Sequence, residues 1–169
     1  ESSYMFYKVA FTYYRENKFA QSIKQLETAI KMKRNKPEYN LLMGECKMEL
    51  GFTKEGIQYL LNVVRLRPKS VIGWEALVKS LYGTGQFEEV LEQVKMAENF
   101  LRNKPVLKYY KTAAYFAMGM MKEALLQLEE ALSTSPTHLK KLIQLNPSLL
   151  QYPQVTDLLV RYKKKGRRK

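Results

Sequence analysis

Apolar side chains along the chain recur at the spacing of amphipathic helices, in segments that come in pairs. The spacing i, i+3, i+4, i+7 places such residues on one face of a helix. One clear run is Ile57, Leu60, Leu61 and Val64. Between the two segments of a pair lies a residue that tolerates positive φ, and these residues are 34 positions apart. They are Asn17, Gly51, Gly85 and Gly119. The pattern therefore predicts a repeated helix hairpin.

Prolines and small residues follow the same period. Prolines recur two periods apart, at 37 and 105 and at 68 and 136, and are predicted to mark the junctions between hairpins. Small residues recur where two helices must approach closely: Ala10 and Gly44; Gly56 and Ala124; Ala29, Ala97 and Ala131. Equivalent positions of successive units form a column, and some columns hold large apolar residues suited to core packing. One such column is Leu26, Leu60, Val94 and Leu128. The predicted units are 3–36, 37–70, 71–104 and 105–138.

These columns resemble the tetratricopeptide repeat, whose pattern over 34 residues has Trp, Leu-Gly, Tyr, Ala, an aromatic residue, Ala and Pro. The third unit supplies Trp74, Leu77, Gly85, Phe87 and Ala97, and the fourth supplies Tyr115, Gly119, Ala124, Ala131 and Pro136. The chain departs from the pattern at Lys47, Lys108 and Lys111, where apolar residues are usual. The resemblance, to a bacterial-type member, implies an all-α fold: a right-handed α-solenoid of four hairpins with a C-terminal capping helix.

The last part of the chain does not continue the period. Residues 139–162 contain two short apolar stripes separated by Asn146-Pro147-Ser148 and are predicted to form capping helices, because a solenoid leaves its final apolar face uncovered. Residues 163–169 form a basic tail. Its cations are Lys163, Lys164, Lys165, Arg167, Arg168 and Lys169.

Composition narrows the class of protein. Apolar residues make up 46% of the 169 residues and charged residues 27%, which is typical of a folded domain. Every apolar run is interrupted by charge, so no membrane span is predicted. The net charge of +13 is concentrated in the basic tail and in the first 36 residues, while the middle is nearly neutral.

The chain starts at Glu1 rather than Met, so upstream sequence is expected to be missing. The compartment is unknown, with a cytoplasmic location slightly favoured.

The residue types needed for catalysis are scarce. His138 is the single histidine and Cys46 the single cysteine, so no catalytic triad, metal cluster or cofactor is predicted. His138 is interpreted as a surface residue at a repeat junction, and Cys46 as a small packing residue. The segment Gly83-Thr84-Gly85 lacks the ending of a phosphate loop. We therefore expect a protein that is not an enzyme.

By resemblance to the family, the first helix of each unit lines a concave groove that binds a peptide or helix of a protein partner. The predicted groove residues are Tyr7, Phe11, Tyr14, Leu41, Leu42, Glu45, Met48, Lys79, Tyr82, Tyr109, Tyr110 and Phe116. Packing of some of them against the second helix of their own unit is the alternative interpretation. The lysine and asparagine clamp of chaperone-binding members is absent. Its positions hold Tyr7, Phe11, Leu42, Ile72 and Ala76.

Two other partners are weighed against a protein segment. The basic tail could bind nucleic acid or another acidic surface through a salt-sensitive attraction, although a solvated helix end is the simpler interpretation. The crowded aromatic residues of the first helix, including Tyr4, Phe6 and Phe11, could support weak self-association. The leading hypothesis is a protein-interaction scaffold. The alternative is a nucleic-acid or acidic-surface binder that acts through the tail.

Overall fold

The computed structural model describes residues 2–102, 104–134 and 139–167, with side chains described up to Lys164. These residues form α-helices joined by short turns, and no strand occurs among them. The first five helices are α1 (Ser2–Arg15), α2 (Phe19–Met32), α3 (Pro37–Glu49), α4 (Thr53–Leu66) and α5 (Val71–Gly83). They are followed by α6 (Phe87–Ala97), α7 (Pro105–Ala117), α8 (Met121–Thr134) and α9 (Leu139–Leu145). A 3-10 helix (Pro147–Gln151) and α10 (Pro153–Arg167) complete the fold. The expectation of an all-α fold is confirmed.

Tertiary contacts divide the chain into two compact units, one ending at Ser80 and the other beginning at Leu81. In the first unit α1 packs on α2, α2 on α3, and α3 on α4. In the second unit α6 packs on α7, and α7 packs on both α8 and α9. Within each unit these successive helices are therefore neighbours in space, as a hairpin array requires. The residue boundaries of the four repeat units stay a prediction.

The predicted turn residues adopt the left-handed backbone conformation. Asn17, Gly51, Gly85 and Gly119 have φ values of 61°, 83°, 77° and 75°. At each turn two hydrogen bonds end the preceding helix in the same way. At the second turn, the Phe52 amide donates to the Lys47 carbonyl at 2.8 Å and the Gly51 amide to the Met48 carbonyl at 3.0 Å. This is the Schellman arrangement, which satisfies the last carbonyls of a helix and reverses the chain.

Close helix approaches occur where small residues were predicted. A Cβ atom added to Gly44 of α3 would lie 3.2 Å from the Gly56 carbonyl of α4, and one added to Gly56 would lie 3.2 Å from the Gly44 carbonyl. One period earlier, Ser22 of α2 donates a hydrogen bond to the Ala10 carbonyl at 2.8 Å, and Cys46 donates to the Ser22 hydroxyl at 3.3 Å. Cys46 is buried and packs as a small side chain, as predicted.

Each unit has its own apolar core. The first includes Ile23, Leu26 and Ala29 of α2 with Leu42 and Met43 of α3. The second is built from α7 and α8 together with the helices after residue 139. Its C-terminal members are Leu142, Leu149, Val155 and Leu158. The C-terminal helices thus complete the core of the second unit, and the assignment of 139–162 as a capping segment stays a prediction.

Prolines start helices instead of kinking them. Pro37 and Pro105 occupy the first turn of α3 and α7, where a missing amide proton costs no intrahelical hydrogen bond. Pro68 lies between α4 and α5, and its carbonyl accepts a 2.7 Å hydrogen bond from the indole of Trp74. Pro136 and His138 lie outside the described residues.

Two glycines of the third turn give a matched test of the hairpin geometry. A Cβ atom added at either Gly83 or Gly85 would meet nothing within 4 Å, but only Gly85 has positive φ. We expect Gly85→Ala to lower the free energy of unfolding by about 1–2 kcal/mol, the cost of left-handed backbone for an L-residue. Gly83→Ala should instead raise it by about 0.5–1 kcal/mol, because alanine favours helix. Urea unfolding followed by circular dichroism measures both, and a stability loss of equal size in the two variants would contradict the assignment.

Candidate functional site

A row of four aromatic rings runs along one side of α1. Tyr4, Tyr7, Phe11 and Tyr14 follow the i, i+3, i+4 spacing that aligns side chains on a helix. The centroids of successive rings lie 6.1, 6.3 and 6.5 Å apart. Tyr4 and Phe11 are exposed, whereas Tyr7 and Tyr14 are half-buried. The row therefore presents a partly solvent-exposed aromatic surface on the unit that ends at Ser80.

Tyr7 anchors this row to α3. Its ring stacks on Tyr39 with centroids 5.1 Å apart, and the Tyr39 hydroxyl is 3.1 Å from the buried Ser3 hydroxyl. Burial raises the pKa of Tyr7, and the nearby carboxylates of Glu38 and Glu45 raise it further. The row thus faces acidic side chains of α3.

Tyr14 is joined to α3 by a polar contact. Its hydroxyl donates a hydrogen bond to the Glu45 carboxylate; burial first, and Glu45 second, raise the pKa of Tyr14 to about 12. The pKa of Glu45 is itself raised by burial, although the hydrogen bond from Tyr14 and the charge of Lys79 act in the opposite direction. Glu49 adds a second negative charge near both groups.

These groups define the aromatic–acidic surface: Tyr4, Tyr7, Phe11, Tyr14, Glu38, Glu45 and Glu49. Two cations already lie over its rings, with Lys8 5.7 Å from the Tyr4 centroid and Arg15 5.9 Å from the Phe11 centroid. Both distances lie within the range of a cation–π interaction.

The other predicted groove residues fall into two groups. Leu41 and Met48 of α3 are half-buried, and Lys79 of α5 is exposed, all in the first unit. In the second unit Tyr82 is half-buried and makes edge contacts with Phe87 at 5.4 Å and Tyr110 at 6.1 Å.

Burial corrects the prediction at four positions. Leu42, Tyr109, Tyr110 and Phe116 are almost inaccessible to solvent and do not offer a free binding surface. Leu42 belongs to the core that α3 shares with α2, so its column faces the preceding helix. Tyr109 and Phe116 pack into the core that α7 shares with the C-terminal helices, and Phe116 stacks on Tyr152 at 6.1 Å. The C-terminal helices thus cover residues of α7 that were expected to be open.

The described part of the basic tail lies at the end of α10. Lys163 and Lys164 are exposed there. The side chains of Lys165 and Arg167, and the whole of Arg168 and Lys169, lie outside the described residues, so their contribution stays a prediction.

The sequence did not reveal the link between Tyr14 and Glu45. The two residues are 31 positions apart and belong to different repeat units. The sequence did place both residues among the predicted groove residues, each on the first helix of its repeat unit. Whether the two side chains pair depends on their rotamers, which the sequence does not give. The sequence also singled out Lys108 and Lys111 as departures from the repeat without showing what they line.

Solved structures with a similar fold include MamA, with a TM-score of 0.75, 20% sequence identity, and coverage of 98% of this chain and 90% of that one. MamA from residue 41 onward, from Desulfovibrio magneticus RS-1, matches with a TM-score of 0.74 and 14% identity over 100% and 97% of the two chains. A thermophilic tetratricopeptide-repeat protein of Thermus thermophilus, TTC0263, matches with a TM-score of 0.59 and 20% identity over 96% and 97%. The fold is of the tetratricopeptide-repeat type. No family model and no curated protein matches the sequence.

Two features are absent from the described part of this tetratricopeptide-type fold. Within the described ranges, no helix has the length and apolarity required to cross a lipid bilayer. Among the same residues, no group of three or more His, Cys, Asp or Glu side chains could hold a metal ion.

The raised pKa of Tyr14 has a consequence for stability at high pH. As pH rises above 10, tyrosine ionises in the unfolded chain first, so the free energy of unfolding should fall between pH 10 and pH 12. In Tyr14→Phe this fall should be smaller by about 1 kcal/mol, after discounting for partial exposure. Urea unfolding at several pH values in this window measures the difference. An identical pH dependence in the two proteins would show that Tyr14 does not carry this shift.

Proposed function

We propose that this chain is a protein-interaction module that binds a segment of a partner on the aromatic–acidic surface of the unit ending at Ser80. The observation that carries the proposal is the row of four rings on α1, partly open to water and bordered by carboxylates of α3. Partly exposed tyrosine and phenylalanine side chains are frequent at the centres of binding surfaces, because they bury a large area with little loss of conformational freedom.

The length of the row sets the size of the occupant. Tyr4 and Tyr14 are ten residues apart on a helix, which corresponds to about 15 Å at 1.5 Å per residue. A span of that length accommodates roughly three turns of a helix or four to five residues of an extended peptide. One short segment of a partner is thus sufficient to cover the row.

The charges beside the row favour particular side chains in the partner. Glu45 and Glu49 lie next to Tyr14, and Glu38 lies next to Tyr7 while forming a 3.3 Å ion pair with Arg67. A partner that carries apolar or aromatic residues together with a lysine or arginine near Glu49 complements this arrangement. The cation would gain from both the carboxylates and the ring faces.

The test also distinguishes two other binding modes from capture of a partner segment. A second copy of the chain could cover the same rings, and sizing at high protein concentration distinguishes self-association from capture of a different partner. A nucleic acid or other acidic surface would bind through the basic tail instead. Such binding requires residues 163–169 and weakens steeply with salt.

Phe11 and Phe100 provide a matched pair for testing the proposal, since their exposed fractions are 42% and 46% and Phe100 lies outside the aromatic–acidic surface. Peptides selected by display on the full chain should bind Phe11→Ser at least about tenfold more weakly, the effect of losing a central aromatic contact. Phe100→Ser should bind them as the unchanged protein does. Isothermal titration calorimetry measures each affinity.

Removal of residues 163–169, which leaves the core-packing Tyr162 in place, and a second salt concentration complete the design. Peptide affinity should survive both changes with only a modest loss. Binding that disappears without the tail and collapses with salt, or that is insensitive to Phe11→Ser, would refute the proposal.

A further inference from the structure

Helix α7 carries lysines at two positions that the preceding repeat unit uses for apolar core. Lys108 and Lys111 occupy the positions of Trp74 and Leu77 one period earlier, and both of those residues are buried. Lys108 and Lys111 are themselves half-buried. A half-buried lysine covers apolar surface with its aliphatic stem, and its ammonium group then needs water or a negative charge as a partner.

A cavity of about 370 Å³ opens beside these lysines, within the unit that begins at Leu81. It lies between α7, the segment before α7, and α8. Its charged lining consists of Arg102, Lys104, Lys108 and Lys111 with Glu98 and Glu130. The cavity therefore has an excess of two positive charges.

The carboxylates in the lining neutralise this charge only in part. Lys108 pairs with Glu130 at 3.7 Å, and the side chain of Lys108 is 19% exposed. Among the described residues, no carboxylate forms an ion pair with Arg102, Lys104 or Lys111. Cations that line a concavity focus a positive potential on its interior; here Lys108 and Lys111 are half-buried, and Arg102 and Lys104 are exposed.

We propose that this cavity binds the phosphate group of a small phosphorylated compound. A phosphate monoester carries about −1.5 to −2 charges at neutral pH, which matches the excess of the lining, whereas a carboxylate carries only one. Arginine and lysine are the side chains that bind phosphate oxygens in proteins. A volume of 370 Å³ is at the lower end of the roughly 300–1,000 Å³ of small-molecule sites. Because no carboxylate of the described residues pairs with Lys111 or Arg102, their charge is available to the ligand, and Lys108 is shared between Glu130 and the ligand.

This site is independent of the aromatic–acidic surface, because its residues belong to the other unit. It also does not involve the basic tail. Either proposal can therefore fail without the other.

The test uses the full chain labelled with ¹⁵N and titrated at constant ionic strength with inorganic phosphate, phenyl phosphate and acetate. Phenyl phosphate should shift the amide signals of α7 around Lys108 and Lys111 and of α8 around Glu130 saturably, and acetate should not. Inorganic phosphate binding equally well would identify free phosphate as the ligand chemistry. Absence of saturable shifts with both phosphates, or equal shifts with acetate, would overturn the proposal.

Substitutions locate the binding to the cavity. Lys111→Met restores an apolar residue to its column and should weaken phenyl phosphate binding about tenfold, the effect of losing one charge-assisted contact. Lys140→Met removes an exposed lysine of α9, outside the cavity lining, and should leave the affinity unchanged. Arg102→Gln, which alters an exposed side chain before α7, gives a second test in case Lys111→Met perturbs folding. Equal weakening in Lys140→Met, or none in both Lys111→Met and Arg102→Gln, would show attraction by the general charge of +13 instead.

Discussion

The left-handed turn residue at every 34th position is the constraint on which the fold depends. Asn17, Gly51, Gly85 and Gly119 each allow two backbone hydrogen bonds that close the first helix of a hairpin and reverse the chain. Because the turn is short and the same each time, the second helix returns against the first at a fixed register. That register places the small residues of the two helices opposite one another, as Gly44 and Gly56 are. The hairpin packing in the structure follows from this local geometry.

Within the folded hairpins, the solvent exposure of a side chain depends on the helices packed against it as much as on its position in the repeat. Tyr7 and Phe11 on α1 stay partly open to solvent, although Tyr7 packs on Tyr39 of α3. On α7, Tyr109 and Phe116 are buried, since the helices after residue 139 pack against them. The aromatic residues of the first helices thus serve as candidate binding surface in one unit and as core in the other. Burial of a tyrosine, as at Tyr109, also raises its pKa to about 12.

The sequence was sufficient to predict the structural features that recur in every repeat unit. It was insufficient for contacts that occur in one unit alone. The turn residues, the close approach of Gly44 to Gly56 and the prolines at the unit junctions follow from periodicity, because each depends on a position within a hairpin. Cys46 was assigned to packing from its residue type instead. The burial of Leu42 against α2 required the exact face that α3 presents to the preceding helix, and an error of one column exchanges core for surface. The burial of Phe116 depended on the path of the aperiodic C-terminal helices. The hydrogen bond between Tyr14 and Glu45 depended on side-chain rotamers in two different repeat units.

Departures from the repeat carry more information about function than agreement with it. A buried leucine in the column of Lys111 would be explained fully by packing, as Leu77 is. A lysine there gives up the packing of a buried leucine, and the cavity beside it is lined by charged side chains. At Lys47, another departure, the cost is met within the protein, since its ammonium group lies 2.8 Å from Glu55 and over the ring of Phe52. Lys111 has no such partner among the described residues. The charge of Lys47 is therefore compensated by other residues of the protein. The charge of Lys111 is left available to a ligand.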